Sequence, residues 1–175
     1  IIMPEDEISN WLQEEFFADQ EVTRDSIFLR WGKARAKQEK DVAPDGRATT
    51  DELHRQLMGM TVAETQKSAD WWRQTAAAVA KDGELIAIAH NTHKPSDQSQ
   101  YALGDPRANF SRGEAMEVSS SLHAEEAVIA KAAAEGISLK GADLYVTTFP
   151  CPFCARLVAY SGIKRVFYKD GYSVL

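Results

Sequence analysis

The chain has little cysteine: only Cys151 and Cys154 occur among 175 residues. Three positions apart, they would close a very small loop. A disulfide-built secreted scaffold is therefore excluded, and a reduced, cytoplasmic setting with a metal or redox role is expected. No run of about 18 apolar residues is present, which excludes a helical membrane span, so no membrane partner is expected. Lys and Arg are absent from residues 1–23, and overall 26 acids outweigh 20 bases for a net charge of -6. That balance argues against indiscriminate binding to phosphate backbones, and nucleic acid is not the expected partner. The opening Ile1-Ile2-Met3-Pro4-Glu5-Asp6 is acidic and lacks the basic, apolar and small-residue order of a secretory leader. Because it does not begin with methionine, the expectation is a piece of a longer chain. What is present is ordinary for a globular domain: 44% hydrophobic and 26% charged residues, in a length suited to one domain plus an arm.

Residues 1–49 read as an acidic extension. Seven acids fall within residues 1–23, and Ile8, Trp11, Leu12 and Phe16 recur at helical spacing, which predicts an amphipathic helix. Ser26–Trp31 is apolar and suits a short strand. The mixed-charge run Lys33–Asp41 reads as a solvated helix or linker, and Ala43-Pro44-Asp45-Gly46 as a turn marking a boundary. Residues 50–175 then read as one domain. It opens with a helix capped by Thr50 or Asp51, with Leu53, Leu57, Met58, Met60 and Val62 on its apolar side. Strands over Gln74–Lys81 and Glu84–His90 flank Asp82-Gly83, a strong hairpin dipeptide. Asn91 to about Ser120 shows no periodicity and is expected to be a long binding loop or lid. A helix over Leu122–Glu135 stops at Gly136, followed by strand Ala142–Phe149, helix Pro150–Ser161 and strand Lys164–Tyr168. Strand, helix, strand at this spacing implies a crossover between parallel strands. The fold class is α/β, with an antiparallel hairpin followed by parallel strands and helices on both faces.

Two short segments carry the chemistry: His123-Ala124-Glu125 and Pro150-Cys151-Pro152-Phe153-Cys154. Each has a plain alternative. A lone histidine packs or caps, and a C-x-x-C pair is a redox couple or half of a structural zinc site that a partner chain completes. Jointly they match H-x-E followed by P-C-x-x-C, the zinc deaminase signature. One imidazole and two thiolates, with water in fourth place, form the donor set of a catalytic zinc. A helix N-terminus favours the thiolates. Glu125, two residues from the histidine, reaches such a water without being a ligand, which suits general acid–base work. Leu122 stands where a capping box would need Ser or Thr, so Glu125 is not spent on capping.

On these motifs the chain resembles the cytidine/deoxycytidylate deaminase superfamily, and within it the dCMP deaminase-like branch. The resemblance is carried further by Trp71-Trp72-Arg73-Gln74, the hairpin ending in His90-Asn91, Gly136-Ile137-Ser138-Leu139, the stretch Leu144 to Cys154, and Ala159 to Tyr168. A histidine first ligand and Phe149 before Pro150-Cys151 are similar to the dCMP deaminase form. The resemblance implies a three-layer α/β/α cytidine deaminase-like sheet and a Zn2+ cofactor held by His123, Cys151 and Cys154. It implies hydrolytic deamination of a cytosine nucleotide (dCMP-like to dUMP plus ammonia), with hydroxide from the zinc site attacking C4 and Glu125 shuttling protons. It also implies Asn91, Ala124, Thr148 and Phe149 as substrate contacts, a small pyrimidine nucleotide and water as partners, and a homo-oligomer. Arg107 and Arg112 are candidates for the 5′-phosphate because guanidinium binds phosphate bidentately, and Tyr172 is a further loop-edge candidate. Arg156, Lys164, Arg165 and Lys169 keep a base in tRNA or single-stranded DNA open as an alternative substrate. A non-catalytic zinc-binding member of the fold is the other alternative. Two departures stand out. The loop 92–121 has no cysteine for the extra structural metal of some dCMP deaminases, leaving His90 and His93 without further ligands. Family members also continue past the position of Leu175 into another helix and strand, so residues 50–175 are expected to be short at that end.

Overall fold

The computed structural model describes residues 1–4, 7–25, 39–40, 48–71, 73–104 and 118–173. Along the chain come β1 (Ile2–Pro4), α1 (Glu7–Phe16), β2 (Thr23–Asp25), β3 (Glu39–Lys40) and α2 (Glu52–Glu64, continued by a 3₁₀ turn at Thr65–Lys67). Then follow β4 (Ala76–Lys81), β5 (Glu84–His90), β6 (Thr92–His93), α3 (Ser99–Leu103), β7 (Ser121–Leu122) and α4 (Ala124–Ala134). The last elements are β8 (Asp143–Thr148), α5 (Pro152–Tyr160), β9 (Arg165–Asp170) and β10 (Tyr172–Ser173).

The main sheet has the order β5-β4-β8-β9. β4 is antiparallel to both neighbours, while β8 and β9 are parallel and joined through α5. The hairpin forms as its dipeptide predicts: Asp82 and Gly83 both take positive φ, 52° and 86°, the pattern of a tight two-residue turn. β4 is nearly all alanine, and Ala76–Ala80 are at most 2% exposed. Short side chains on a central strand let helices approach from both sides. Alternation then sorts the core into two clusters. Ala77, Val79, Leu144 and Val146 pack with Val128, Ala132 and Val158 of α4 and α5. Ala78, Ala80 and Tyr145 point the other way, onto Leu57 of α2. The result is three layers, helix on sheet on helix. Asp51 caps α2 by accepting the Leu53 N–H at 2.9 Å, one of the two residues expected there.

Outside the main sheet, β1 and β2 form a short parallel pair around α1, at the place where an amphipathic helix is predicted. β3 pairs antiparallel with β10, Lys40 opposite Tyr172. Glu39 and Lys40 are thus a strand, not helix or linker, because the ladder partner lies over a hundred residues downstream, where local charge pattern carries no information. The predicted strand Ser26–Trp31 and turn Ala43–Gly46 lie outside the described residues. The expected loop after Asn91 is more structured than its sequence suggests, holding β6, α3 and β7, with 105–117 outside the described residues. Among the described residues no helix is long and apolar enough to cross a membrane.

Candidate metal centre and substrate cleft

The β6–β7 ladder pairs Thr92 with Leu122 and His93 with Ser121. β7 leads directly into His123, at the mouth of α4. His123 has extended backbone (φ -66°, ψ 155°) and serves as the N-cap of α4. On the neighbouring element, β8 ends at Thr148 and Phe149 donates its N–H to Asp170 O at 2.9 Å. The chain then enters α5 with Cys151 as N-cap and Pro152 at the first helical position. Pro152, more than Pro150, marks this helix start, since a proline there sacrifices no hydrogen bond. Cys151 accordingly sits just before the first turn, and its Sγ accepts the Cys154 N–H at 3.4 Å, where a serine oxygen would ordinarily cap.

This geometry brings His123 Nδ1 to 3.5 Å from Cys151 Sγ and 3.4 Å from Cys154 Sγ. The three donor atoms lie within 4.8 Å of one another. Tetrahedral zinc with bonds of about 2.0–2.1 Å to nitrogen and about 2.3 Å to sulfur sets an N···S edge of roughly 3.6 Å. The donor set and its spacing therefore fit that ion without rearrangement. Cys151 is 8% exposed and Cys154 is fully buried.

The electrostatics of the cluster are asymmetric. The Cys151 thiol is held well below its ordinary value, chiefly by a hydrogen bond from the Cys154 side chain and further by His123 and the Cys154 N–H, against burial. Cys154, as the donor to that sulfur and deeply buried, is pushed up. His123 is raised by its hydrogen bond with Cys151, which outweighs burial. Glu125 is raised because burial disfavours its charge, although its bonds to backbone and to Cys154 and the nearby His123 oppose this. Helix capping does not consume it. Glu126, the next residue, accepts the His123 N–H at 2.9 Å and completes the N-terminus. A buried carboxyl is thus left beside the three metal-type donors.

The remaining predicted contacts are spread around this cluster. Ala124 is buried at the first turn of α4, and Thr148 is half-buried at the end of β8. Phe149 meets the Tyr168 ring edge-on, with centroids 5.1 Å apart. Asn91 is 4% exposed, and its amide is held by neighbours: Oδ1 accepts from the Thr75 N–H and the Ser68 side-chain O–H, both at 2.8 Å, and Nδ2 donates to Arg73 O at 3.0 Å. Arg107 and Arg112 lie outside the described residues, as does the Tyr172 side chain. His90 and His93 go to separate partners, Glu64 and Asp70 respectively, and do not converge. Sequence reasoning missed a cleft of about 410 Å³ in front of His123, lined by Ser119, Ser120, Ser121 and Leu122, with Glu126, Lys94 and Phe153 at its edges. The serine run directly before His123 was its one visible signal.

Residues 51–170 match the sequence model described as the cytidine and deoxycytidylate deaminase zinc-binding region. The deoxycytidylate deaminase of Enterobacteria phage T2 is 49% identical over 51 residues, 29% of this chain and 27% of that protein. The aligned stretch thus spans about a quarter of that curated relative's length. The tRNA-specific adenosine deaminase of Bacillus subtilis (strain 168) is 32% identical over 123 residues, covering 69% of this chain and 62% of that protein. Among solved structures, the dCMP deaminase from cyanophage S-TIM5, in complex with dCMP and dUMP, has a similar fold at a TM-score of 0.53. It is 24% identical, over 71% of this chain and 86% of that one.

Proposed function

This chain belongs to the cytidine and deoxycytidylate deaminase family, and on that premise we propose that it hydrolytically removes the 4-amino group of a free cytosine nucleotide of the dCMP class. The observation that carries this reading is the three-donor cluster with a buried carboxyl, Glu125, at its side. His123, Cys151 and Cys154 would hold zinc, and that ion when bound supplies Lewis acidity that brings a water's pKa down toward about 7. Burial disfavours the charge on Glu125, which favours its taking up a proton when one is offered. It accepts the proton of the attacking water and delivers it to ring N3 as the C4–O bond forms. The carboxylate then takes the proton of the new C4 hydroxyl and passes it to the amine, so that the C4–N bond breaks, C4=O forms and ammonia leaves. The N–H groups at Ala124 and Cys151, at two helix N-termini, orient the base, since the first donors of a helix have no partner within it. Thr148 and Phe149 flank the base, and Asn91, whose Nδ2 gives one N–H to Arg73 O, has its second N–H for the sugar side.

The cleft volume falls within the range of small-molecule sites, about 300–1,000 Å³. Lys94, which lines it, supplies positive charge for a phosphate, and Arg107 and Arg112 stay the candidates that the sequence offers for the same group. A homo-oligomer belongs to the same reading: Phe153, Leu157 and Tyr160 line one exposed face of α5, 47%, 38% and 92% exposed. A second reading, action on a base in tRNA, is favoured by the Bacillus subtilis relative named above. The net charge of -6 weighs against it. An ammonia-release screen over dCMP, dCTP, CMP, deoxycytidine, cytosine, guanine, single-stranded DNA and tRNA decides the matter. Turnover of free cytosine nucleotides is expected, and activity confined to a polymer overturns the free-nucleotide reading.

A further inference from the structure

Beyond the metal cluster, His93 and Asp70 form a deeply buried hydrogen-bonded pair near the cleft, 1% and 6% exposed. His93 Nε2 lies 2.9 Å from Asp70 Oδ2, and its Nδ1 lies 2.7 Å from Ser120 Oγ. Ser120 lines the same cleft as His123. Both ends of this relay are fixed. Asp70 Oδ1 accepts the Arg73 N–H at 2.9 Å, and Ser120 O accepts the Lys94 N–H at 2.8 Å. Packing alone does not call for such an arrangement, because an apolar pair of similar volume would fill the space without the desolvation cost of a buried carboxylate.

The order of partners sets the polarity. An ionised carboxylate only accepts, so the Nε2 facing Asp70 carries a proton. In the neutral ring Nδ1 is then an acceptor, and Ser120 spends its O–H on it. What Ser120 turns toward the cleft is lone pairs. Such an oxygen attracts a hydroxyl or an amine and repels the acceptor-only oxygens of a phosphate. Its position points to the sugar. Three residue-to-residue steps lead from Ser120 to His123, roughly 10 Å at about 3.3 Å per extended residue, which is too far for a base held at the metal cluster but within reach of the sugar it carries.

From this juxtaposition we propose that Ser120 receives a hydrogen bond from a hydroxyl of the substrate's sugar ring, with His93 and Asp70 as positioning residues that fix where the serine's own proton points. The assignment rests on the deaminase reading above. Its test is a kinetic cycle on the zinc-loaded full chain: parent and Ser120→Ala, each with dCMP and with 2′,3′-dideoxycytidine monophosphate. The substitution raises KM for dCMP by about 3- to 10-fold, the worth of one neutral hydrogen bond, with kcat changed by less than about 2-fold. The parent loses a similar factor on the dideoxy nucleotide, and Ser120→Ala adds nothing to that loss. Asp70→Asn keeps the Arg73 bond through its Oδ1 but offers Nε2 an amide donor, which turns the Ser120 proton toward the sugar hydroxyl; that hydroxyl can accept it, so KM for dCMP stays within about 2-fold of the parent. Asp70→Ala leaves His93 without that partner and raises KM for dCMP but not for the dideoxy nucleotide, a split that a merely weakened fold would not give. A Ser120→Ala penalty of equal size on both nucleotides overturns the proposal, as does one that tracks the 5′-phosphate when dCMP is compared with deoxycytidine. A parent that turns over no cytosine nucleotide defeats the deaminase reading and this assignment with it. A parent that turns over dCMP with additive losses defeats the Ser120 assignment alone.

Discussion

Replacing Glu125 with Gln changes one atom's chemistry in a site that otherwise stays filled. The side chain is 8% exposed and keeps its volume, so no cavity opens. Burial is the largest influence on this carboxyl and acts against its charge, so a neutral amide removes a cost and adds none. Thermal stability is therefore expected to hold or rise slightly, with about 1 kcal/mol corresponding to roughly 2–4 °C in a chain of this size. Zinc content stays that of the parent, because the three donors are untouched. Turnover is the quantity that falls. A positioned acid–base group contributes about 10²- to 10⁴-fold, equivalent to roughly 2.7–5.4 kcal/mol of barrier at about 1.36 kcal/mol per decade. Ammonia release on dCMP, metal analysis and a melting curve on the same preparation read all three. Turnover within about tenfold of the parent, with zinc bound, would refute the proton-shuttle role. Loss of zinc along with activity would refute it in another way, by making Glu125 a ligand.

Other expectations follow from the same geometry. Cys151→Ser keeps a side chain able to cap α5 but removes a thiolate. Metal analysis is expected to show bound zinc falling to a small fraction of an equivalent, with metal-free stability changing by less than about 1 kcal/mol, and full zinc retention would contradict the ligand assignment. Leu144→Ala empties a fully buried position between β8 and α4, and urea denaturation should report a loss of about 2–5 kcal/mol. Two glycines should respond oppositely to alanine. At Gly162, with φ at 84°, the new Cβ would sit 3.2 Å from Lys140 Cα, so stability drops by more than about 1 kcal/mol. At Gly59, exposed in α2 with no atom within 4 Å, helix propensity gains roughly 0.5–1 kcal/mol. Equal responses at the two sites would refute the backbone argument.

Much of the fold was legible because its signals are local. Asp82-Gly83 between two apolar runs specifies a hairpin through the φ values that only such residues take readily, and Asp51 caps the helix that follows it. The pairing of β3 with β10 was invisible, since a two-residue strand exists only through a partner far along the chain. Glu125 was identified by its spacing from His123. Its freedom from capping was read from Leu122, but that Glu126 does the capping appeared only when the helix start was seen at Ala124, two residues later than the apolar pattern suggested.

The sequence by itself determined the chemistry on offer: one imidazole, two cysteines at helix-start spacing and one carboxylate two residues from the imidazole, a set whose residue types and intervals are written in the linear order. Tertiary structure alone decided which polar groups face the cleft and which are consumed inside. His93 and Asn91 look alike in the sequence as polar residues after a strand. One is turned inward to a buried carboxylate and a cleft serine, and the other holds the Ser68 hydroxyl and the backbone of Arg73 and Thr75 through its amide. The physical reason is that hydrogen bonds are satisfied between whichever donors and acceptors folding brings within about 3 Å, and sequence spacing says nothing of partners more than a few turns or strands away.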